Sequence, residues 1–139
     1  MMADQSVRLN LPADVRYLGL LEGLIGSLLG HETGLADREA RTFEVILAVH
    51  ETCTNIIDHA YAGGPGRIEL AFTLYDDPRR LVVDIRDTGQ SFVMGEIQPP
   101  NLGAPQTRGY GLFLIHRLMD EVSYTPAEGN NQWRLVKQL

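Results

Sequence analysis

Residues 67–89 read R-I-E-L-A-F-T-L-Y-D-D-P-R-R-L-V-V-D-I-R-D-T-G, and this stretch decides the fold. Apolar residues recur at every second position over residues 68–74 and again over residues 81–85, on either side of an Asp-Asp-Pro turn. Period-two alternation is typical of half-buried strands, and aspartate followed by proline is typical turn chemistry. The stretch therefore predicts an antiparallel hairpin with one face on a core.

Helix and strand patterns surround this hairpin, and a loop rich in proline and glycine covers residues 89–108. The predicted elements are a strand from Val7 to Pro12, a helix from a cap at Asp14 to Leu29 with Gly30 as its stop, a helix from Asp37 to about Tyr61, a helix from Tyr110 to Met119, and strands Val122–Thr125 and Trp133–Val136. Their order predicts an α+β fold, a two-layer sandwich in which about three helices cover one face of a mostly antiparallel sheet.

Length and composition narrow the class of protein. The 139 residues suit a single domain over 1–139. The composition, 44% hydrophobic and 22% charged, excludes a disordered chain, collagen and a coiled coil. A formal charge of -6 argues against direct nucleic-acid binding through phosphates. The most apolar run, residues 18–29, is too short to span a bilayer, and residues 1–9 lack the apolar core of a signal peptide. We expect a cytoplasmic protein without a membrane partner.

A polar edge marks the long helix, where Glu51, Asn55 and His59 follow at four-residue steps. Each step turns only about 40° around a helix axis, so the three residues share one edge that apolar neighbours partly shield from water. A carboxylate and an amide at this spacing can bind a hard cation or activate a hydroxyl. A solvated edge with a Glu–Asn hydrogen bond is the alternative. Cys53, the single cysteine, falls on the apolar side and is expected to be an inert core thiol.

Asp87 ends the second hairpin strand with the same parity as Leu81, Val83 and Ile85, which predicts that its side chain faces the core. An ionised carboxylate is costly there without a hydrogen-bond donor. A bound amino-purine would provide that donor through its exocyclic amine, with Gly89 leaving room for the ring. An Asx turn, in which backbone amides bind the carboxylate, is the alternative.

A third motif, Arg108-Gly109-Tyr110-Gly111-Leu112, opens the helix that follows the loop. Glycines let the backbone approach a phosphate closely, and a helix N-terminus offers free N–H groups at the positive end of its dipole. The motif is neither a Rossmann fingerprint nor a P-loop, because it lacks the third glycine and the Gly-Lys-Ser/Thr ending. A flexible junction between loop and helix is the alternative.

The order of these motifs resembles that of the Bergerat-fold ATPases, the group of gyrase, MutL and the histidine kinases. A Glu-x-x-x-Asn helix, a strand ending in Asp-x-Gly and a Gly-x-Gly helix start correspond to its N-box, G1-box and G2-box. Within that group, residues 51–61, 108–112 and 133–137 are most similar to the stand-alone anti-sigma regulatory factors that are also serine protein kinases. We expect a chain of 139 residues to lack the extra domains of the other members.

The resemblance implies ATP and Mg²⁺ as cofactors and assigns roles to the first two motifs. Glu51 would be the general base that accepts a proton from a substrate serine, and Asn55 would bind Mg²⁺ through its amide oxygen. Asp87 would accept a hydrogen bond from the adenine amine, with Gly89 against the base. The protein substrate would be an anti-sigma-factor antagonist, and a sigma factor would be a further partner.

The third motif would hold the phosphates. Gly109, Gly111 and the following amides, beginning with Leu112, would cradle them, and Arg108 would clamp them in a lid region that contains no lysine. The alternative function is a non-catalytic, nucleotide-gated switch that sequesters a regulator. Four glycines on one side of the first helix, Gly19, Gly23, Gly26 and Gly30, leave two expectations open: a partner or homodimer contact, or close internal packing.

Overall fold

The computed structural model describes residues 6–92 and 110–139. Within these ranges the elements are β1 (Ser6–Pro12), a 3₁₀ turn (Val15–Tyr17), α1 (Gly19–Gly30), α2 (Arg38–Asn55), a π-helical turn (Ile56–Ala60), β2 (Arg67–Asp76), β3 (Arg79–Asp87), α3 (Tyr110–Leu118), β4 (Glu121–Thr125) and β5 (Asn131–Gln138). The predicted order of helices and strands is confirmed. Most of the predicted loop, with Arg108 and Gly109, lies outside the described residues.

The strands form one antiparallel sheet in the order β1-β2-β3-β5-β4. The predicted hairpin is β2 and β3, paired from Glu69 opposite Arg86 to Asp76 opposite Arg79. β3 is central and also pairs with β5, so its end at Asp87 lies directly opposite Asn131. The α+β fold predicted from the sequence is confirmed, with every described strand pair antiparallel.

The core lies between the sheet and the helices. Period-two residues of β3, Leu81, Val83 and Ile85, are buried there, as are Ile25 of α1 and Val49 of α2. The opposite face of the sheet carries exposed charged pairs. This arrangement is the one that alternation in a one-side-buried antiparallel sheet produces. No helix in the described ranges is both long and apolar enough to cross a membrane.

The start of the first helix differs from the prediction. The Asp14 carboxylate accepts a hydrogen bond from the Arg16 N–H at 2.9 Å and caps the 3₁₀ turn, while α1 begins at Gly19. The α1 glycines also contradict one expectation, because a Cβ added at any of the four meets no heavy atom within 4 Å in the described part of the chain. Close internal packing is therefore not the reason for these glycines.

The long helix ends in a π-helical turn that shapes the neighbouring loop. After Asn55 the hydrogen-bond step widens, and the Tyr61 N–H donates to the Ile56 carbonyl at 3.0 Å. The Ala60 carbonyl is left free for another chain segment and accepts from the Gln90 N–H at 2.7 Å. Single π turns inside helices occur frequently at functional sites, and this one joins the end of α2 to the segment after β3.

Candidate functional site

Asp87 lies at the end of β3 on the core side of the sheet, as its parity predicts. The residue is 1% exposed. Its Oδ1 accepts hydrogen bonds from the Gly89 N–H at 2.9 Å and from the Asn131 Nδ2 at 3.0 Å. Its Oδ2 is buried and finds no donor among the described residues. The Asx-turn alternative is thus correct for one oxygen, and the other is left without a hydrogen-bond partner.

The unpaired oxygen defines what a ligand must bring. A buried carboxylate oxygen without a donor costs about 1–3 kcal/mol, and more when the group is ionised. A ligand that donates an N–H to Oδ2 recovers this cost, whereas a ligand with an acceptor at that point adds repulsion. The unpaired Oδ2 of Asp87 therefore favours a donor group such as an exocyclic amine.

Asn131 is a site residue that the motifs did not predict. It is fully buried, and besides Asp87 its Nδ2 donates to the Gly89 carbonyl at 2.9 Å. Asn131 shares the period-two parity of Trp133 and Leu135, a signal that indicates burial. Its contact with Asp87, 44 residues away in the chain, depends on the register between β3 and β5.

Gly89 is held against the end of the long helix. A Cβ at this position would lie 2.3 Å from the Ala60 carbonyl oxygen, a separation that atoms do not tolerate. The absence of a side chain therefore permits the backbone approach that the Gln90–Ala60 hydrogen bond completes. Nearby, the Tyr61 hydroxyl donates to the Arg67 carbonyl at 2.6 Å and accepts from the Thr88 N–H at 3.0 Å. Together these contacts fix the turn that carries Asp87.

Glu51 and Asn55 meet the first turn of α3. A Cβ at Gly111 would lie 3.1 Å from the Glu51 Oε2 and 3.2 Å from both the Oδ1 and the Nδ2 of Asn55. The Asn55 Nδ2 is buried and has no partner among the described residues. The structure therefore brings the carboxylate and amide of the helix motif to a glycine of the third motif. A solvated helix edge does not describe this arrangement.

The third member of the helix motif has a different environment. His59 lies in the π turn, and its ring meets Phe92 edge-on at 5.6 Å. Phe92 also packs against Tyr124 and Trp133, and its N–H donates to the Tyr124 hydroxyl at 2.9 Å. Burial raises the pKa of Tyr124, so its hydroxyl stays protonated at neutral pH. This aromatic group anchors the chain where it leaves the Asp87 turn.

Two further predicted residues have clear places. Cys53 is fully buried, and burial raises the pKa of its thiol to about 12, which confirms the inert core thiol. Leu112, in the first turn of α3, is half-buried and packs against the core. Arg108 and Gly109 lie outside the described residues. The one lysine, Lys137, is buried and donates to the Leu118 carbonyl at 2.6 Å and to the Glu44 Oε2 at 3.0 Å.

Three segments thus converge at one end of the helical layer: the end of β3, the end of α2 and the start of α3. The match to the histidine kinase-like ATPase domain model covers residues 11–137. The chain belongs to this family.

Several proteins similar to this chain in sequence are named serine-protein kinase RsbW. That of Bacillus cereus is 30% identical over 133 residues, which cover 90% of this chain and 80% of the relative. That of Halalkalibacterium halodurans is 33% identical over 137 residues, which cover 90% and 78%. These relatives confirm the resemblance to the anti-sigma regulatory serine protein kinases that the sequence motifs indicated.

Solved structures support the fold. The crystal structure of the RsbU and RsbW domains of Rv1364c from Mycobacterium tuberculosis superimposes with a TM-score of 0.70 at 18% identity, over 96% of this chain and 32% of that one. The histidine kinase domain of a blue-light activated histidine kinase from Erythrobacter litoralis gives a TM-score of 0.59 at 19% identity, over 92% and 61%. Both have the arrangement of helices over a sheet described above.

Proposed function

We propose that this chain is an ATP-dependent protein serine/threonine kinase of the anti-sigma regulatory type. It phosphorylates a small anti-sigma-factor antagonist and binds a sigma factor, acts in the cytoplasm, and consists of one domain over residues 1–139. Family membership and the RsbW relatives support this function. The observation that carries it is Asp87, a buried carboxylate with one oxygen left for a donor.

Adenine binds at Asp87. The exocyclic amine donates to Oδ2, while Oδ1 keeps its bonds to Gly89 and Asn131. Gly89 keeps the turn closed against Ala60, and this contact fixes the position of the Asp87 turn. Asp87 therefore selects the base and holds it, and it takes no part in the chemical step.

The phosphates lie at the start of α3. Gly111 and Leu112 present backbone N–H groups at the positive end of the helix dipole. Arg108 and Gly109, outside the described residues, are proposed as further phosphate-binding residues. Asn55 would hold Mg²⁺ through its amide oxygen. The ion would supply positive charge that neutralises charge developing on the phosphates during transfer. The Asn55 Oδ1 beside Gly111 fits this role, and the buried, unpartnered Nδ2 next to it is a donor suited to a phosphate oxygen. The described residues hold no group of three or more His, Cys, Asp or Glu suited to a metal.

Glu51 is the general base. The substrate serine oxygen attacks the γ-phosphorus, the bond from that phosphorus to the bridging oxygen breaks, and ADP leaves with the bond's electrons. Glu51 accepts the serine proton. Because Glu51 and Asn55 both reach Gly111, the proton acceptor and the metal ligand are on the same side of the phosphate cradle.

Transfer of labelled phosphate tests this function. The chain is incubated with γ-labelled ATP, Mg²⁺ and the antagonist encoded by a neighbouring gene, alongside Glu51→Gln and a control, Glu39→Gln, in the exposed first turn of α2. We expect the label on the antagonist to fall by about 100-fold or more in Glu51→Gln, the usual contribution of a general base, and to persist in the control. ADP affinity should be unchanged in both. Undiminished transfer by Glu51→Gln would remove Glu51 from its role, and a wild type that binds ADP without transferring label would contradict the kinase.

A further inference from the structure

We propose that Asn131 is a positioning residue that sets the base selectivity of the site by leaving Asp87 a single free acceptor. The proposal rests on the proposed function, since it takes Asp87 to be the acceptor for the purine amine. Asn131 begins β5 directly opposite Asp87 and is fully buried. A buried asparagine side chain has four hydrogen-bonding positions to satisfy, and the structure shows where each is used.

The orientation of the Asn131 amide follows from its surroundings. The Ala127 N–H, at 3.3 Å, can only donate, so the Asn131 atom that faces it is the oxygen. The Ser91 hydroxyl donates to the same oxygen at 2.6 Å. The Nδ2 therefore faces the other way, where it donates to Asp87 Oδ1 at 3.0 Å and to the Gly89 carbonyl at 2.9 Å. Both N–H groups and the oxygen are used within the protein.

This network determines which oxygen of Asp87 a ligand meets. Oδ1 receives two donors, from Gly89 and Asn131, and rotating the carboxylate would break both bonds. The remaining oxygen, Oδ2, has no donor among the described residues and is the one acceptor left for a ligand. A purine with an amine at position 6 satisfies it, whereas a purine with hydrogen there leaves it unpaired. A purine with an oxo group there places two acceptors face to face.

Three nucleotides separate these cases: ADP, purine riboside 5′-diphosphate, which lacks the amine, and IDP, which carries an oxo group. Calorimetry with Mg²⁺ should show that the wild type prefers ADP over purine riboside 5′-diphosphate by about 10- to 100-fold, the range of one hydrogen bond to a charged group, and rejects IDP further. Asn131→Leu, close in shape but without a donor, should reduce the preference below about threefold. The control Asn130→Leu, which removes only a contact to the exposed Arg86, should keep it.

The ratio of the affinities for ADP and purine riboside 5′-diphosphate distinguishes a positioning role of Asn131 from a role in supporting the fold. A purely structural role would weaken both nucleotides equally and leave the ratio unchanged, so a folded Asn131→Leu with the wild-type ratio would overturn the proposal. If Asn131→Leu does not fold, Ser91→Ala decides, because the exposed Ser91 holds the Asn131 oxygen. We then expect the preference to fall about two- to fivefold, and an unchanged preference would overturn the proposal. A wild type without any preference, or an Asp87→Asn that retains it, would instead contradict adenine recognition by Asp87.

Discussion

At this site the absence of a side chain at two glycines matters as much as the side chains of the other residues. Gly111 leaves space that Glu51 and Asn55 fill, and Gly89 leaves space that the Ala60 carbonyl fills. The two glycines differ in what a side chain would strike. At Gly89 it would meet rigid backbone, and at Gly111 it would meet the ends of two flexible side chains. Substitution at Gly111 should therefore disturb chemistry more than folding.

Gly111→Ala tests this directly. Its Cβ would lie 3.1 Å from Glu51 Oε2 and 3.2 Å from the Asn55 amide, so both side chains must shift by a few tenths of an ångström. We expect phosphoryl transfer to fall about tenfold or more, because small misplacements of catalytic groups are costly. The free energy of unfolding in urea should change by less than about 1 kcal/mol, since alanine favours the helix. Wild-type transfer rates in this variant would show that Glu51 and Asn55 do not act from the positions described.

At the scale of elements, the sequence predicted the kind and order of the helices and strands more completely than their ends. The alternation of apolar residues in β2 and β3 and the parity of Asp87 are local properties of the chain, so they could be predicted directly from the sequence. The start of α1 could not, because Asp14 caps a 3₁₀ turn that the apolar pattern does not distinguish from a helix. The Asp87–Asn131 contact could not either, since it depends on a register between strands distant in the chain.

The site motifs show the same division. The Glu51–Asn55 spacing predicted a shared edge, and that edge does meet the third motif at Gly111. The position of His59 was less predictable, because the π turn that follows Asn55 changes the helical step. His59 consequently packs on Phe92, which no helix pattern indicates.

The exposed side of α1 leads to a prediction about stability. Gly23 lies in the middle of the helix, and a Cβ there meets no heavy atom within 4 Å. Gly23→Ala should therefore raise the free energy of unfolding by about 0.5–1 kcal/mol, as measured by urea denaturation, because glycine loses more conformational freedom in a helix. A lower free energy of unfolding in Gly23→Ala would contradict this prediction, because it would mean that the added methyl group meets another part of the protein.

At the scale of the whole molecule, α3 is held at both ends. Its first turn lies against Glu51 and Asn55, and its last carbonyl, on Leu118, accepts from the buried Lys137 of β5. Lys137 also pairs with Glu44 of α2 at 3.0 Å. One side chain thus joins the sheet to two helices, and it holds the helix whose other end is the proposed phosphate cradle.

Removal of this amine should destabilise the whole domain. Lys137→Met keeps most of the side-chain volume but leaves the Leu118 carbonyl and Glu44 without their donor, so we expect a loss of about 1–3 kcal/mol. The fluorescence of Trp133, the one tryptophan, reports unfolding in urea. Arg134→Met is the matched control, because its ion pair with Asp84 is exposed and should contribute less than about 1 kcal/mol. Equal losses in the two variants would contradict this role for Lys137.

The central claim is that Asp87 binds the base of an adenine nucleotide, and calorimetry with ADP and Mg²⁺ tests it most directly. Asp87→Asn preserves shape while placing an amide where the carboxylate accepts, and Asp84→Asn makes the same change on the exposed face of the same strand. We predict that the wild type and Asp84→Asn bind ADP equally and that Asp87→Asn binds at least about tenfold more weakly. Equal affinity in Asp87→Asn, or no ADP binding by the wild type, would contradict the account.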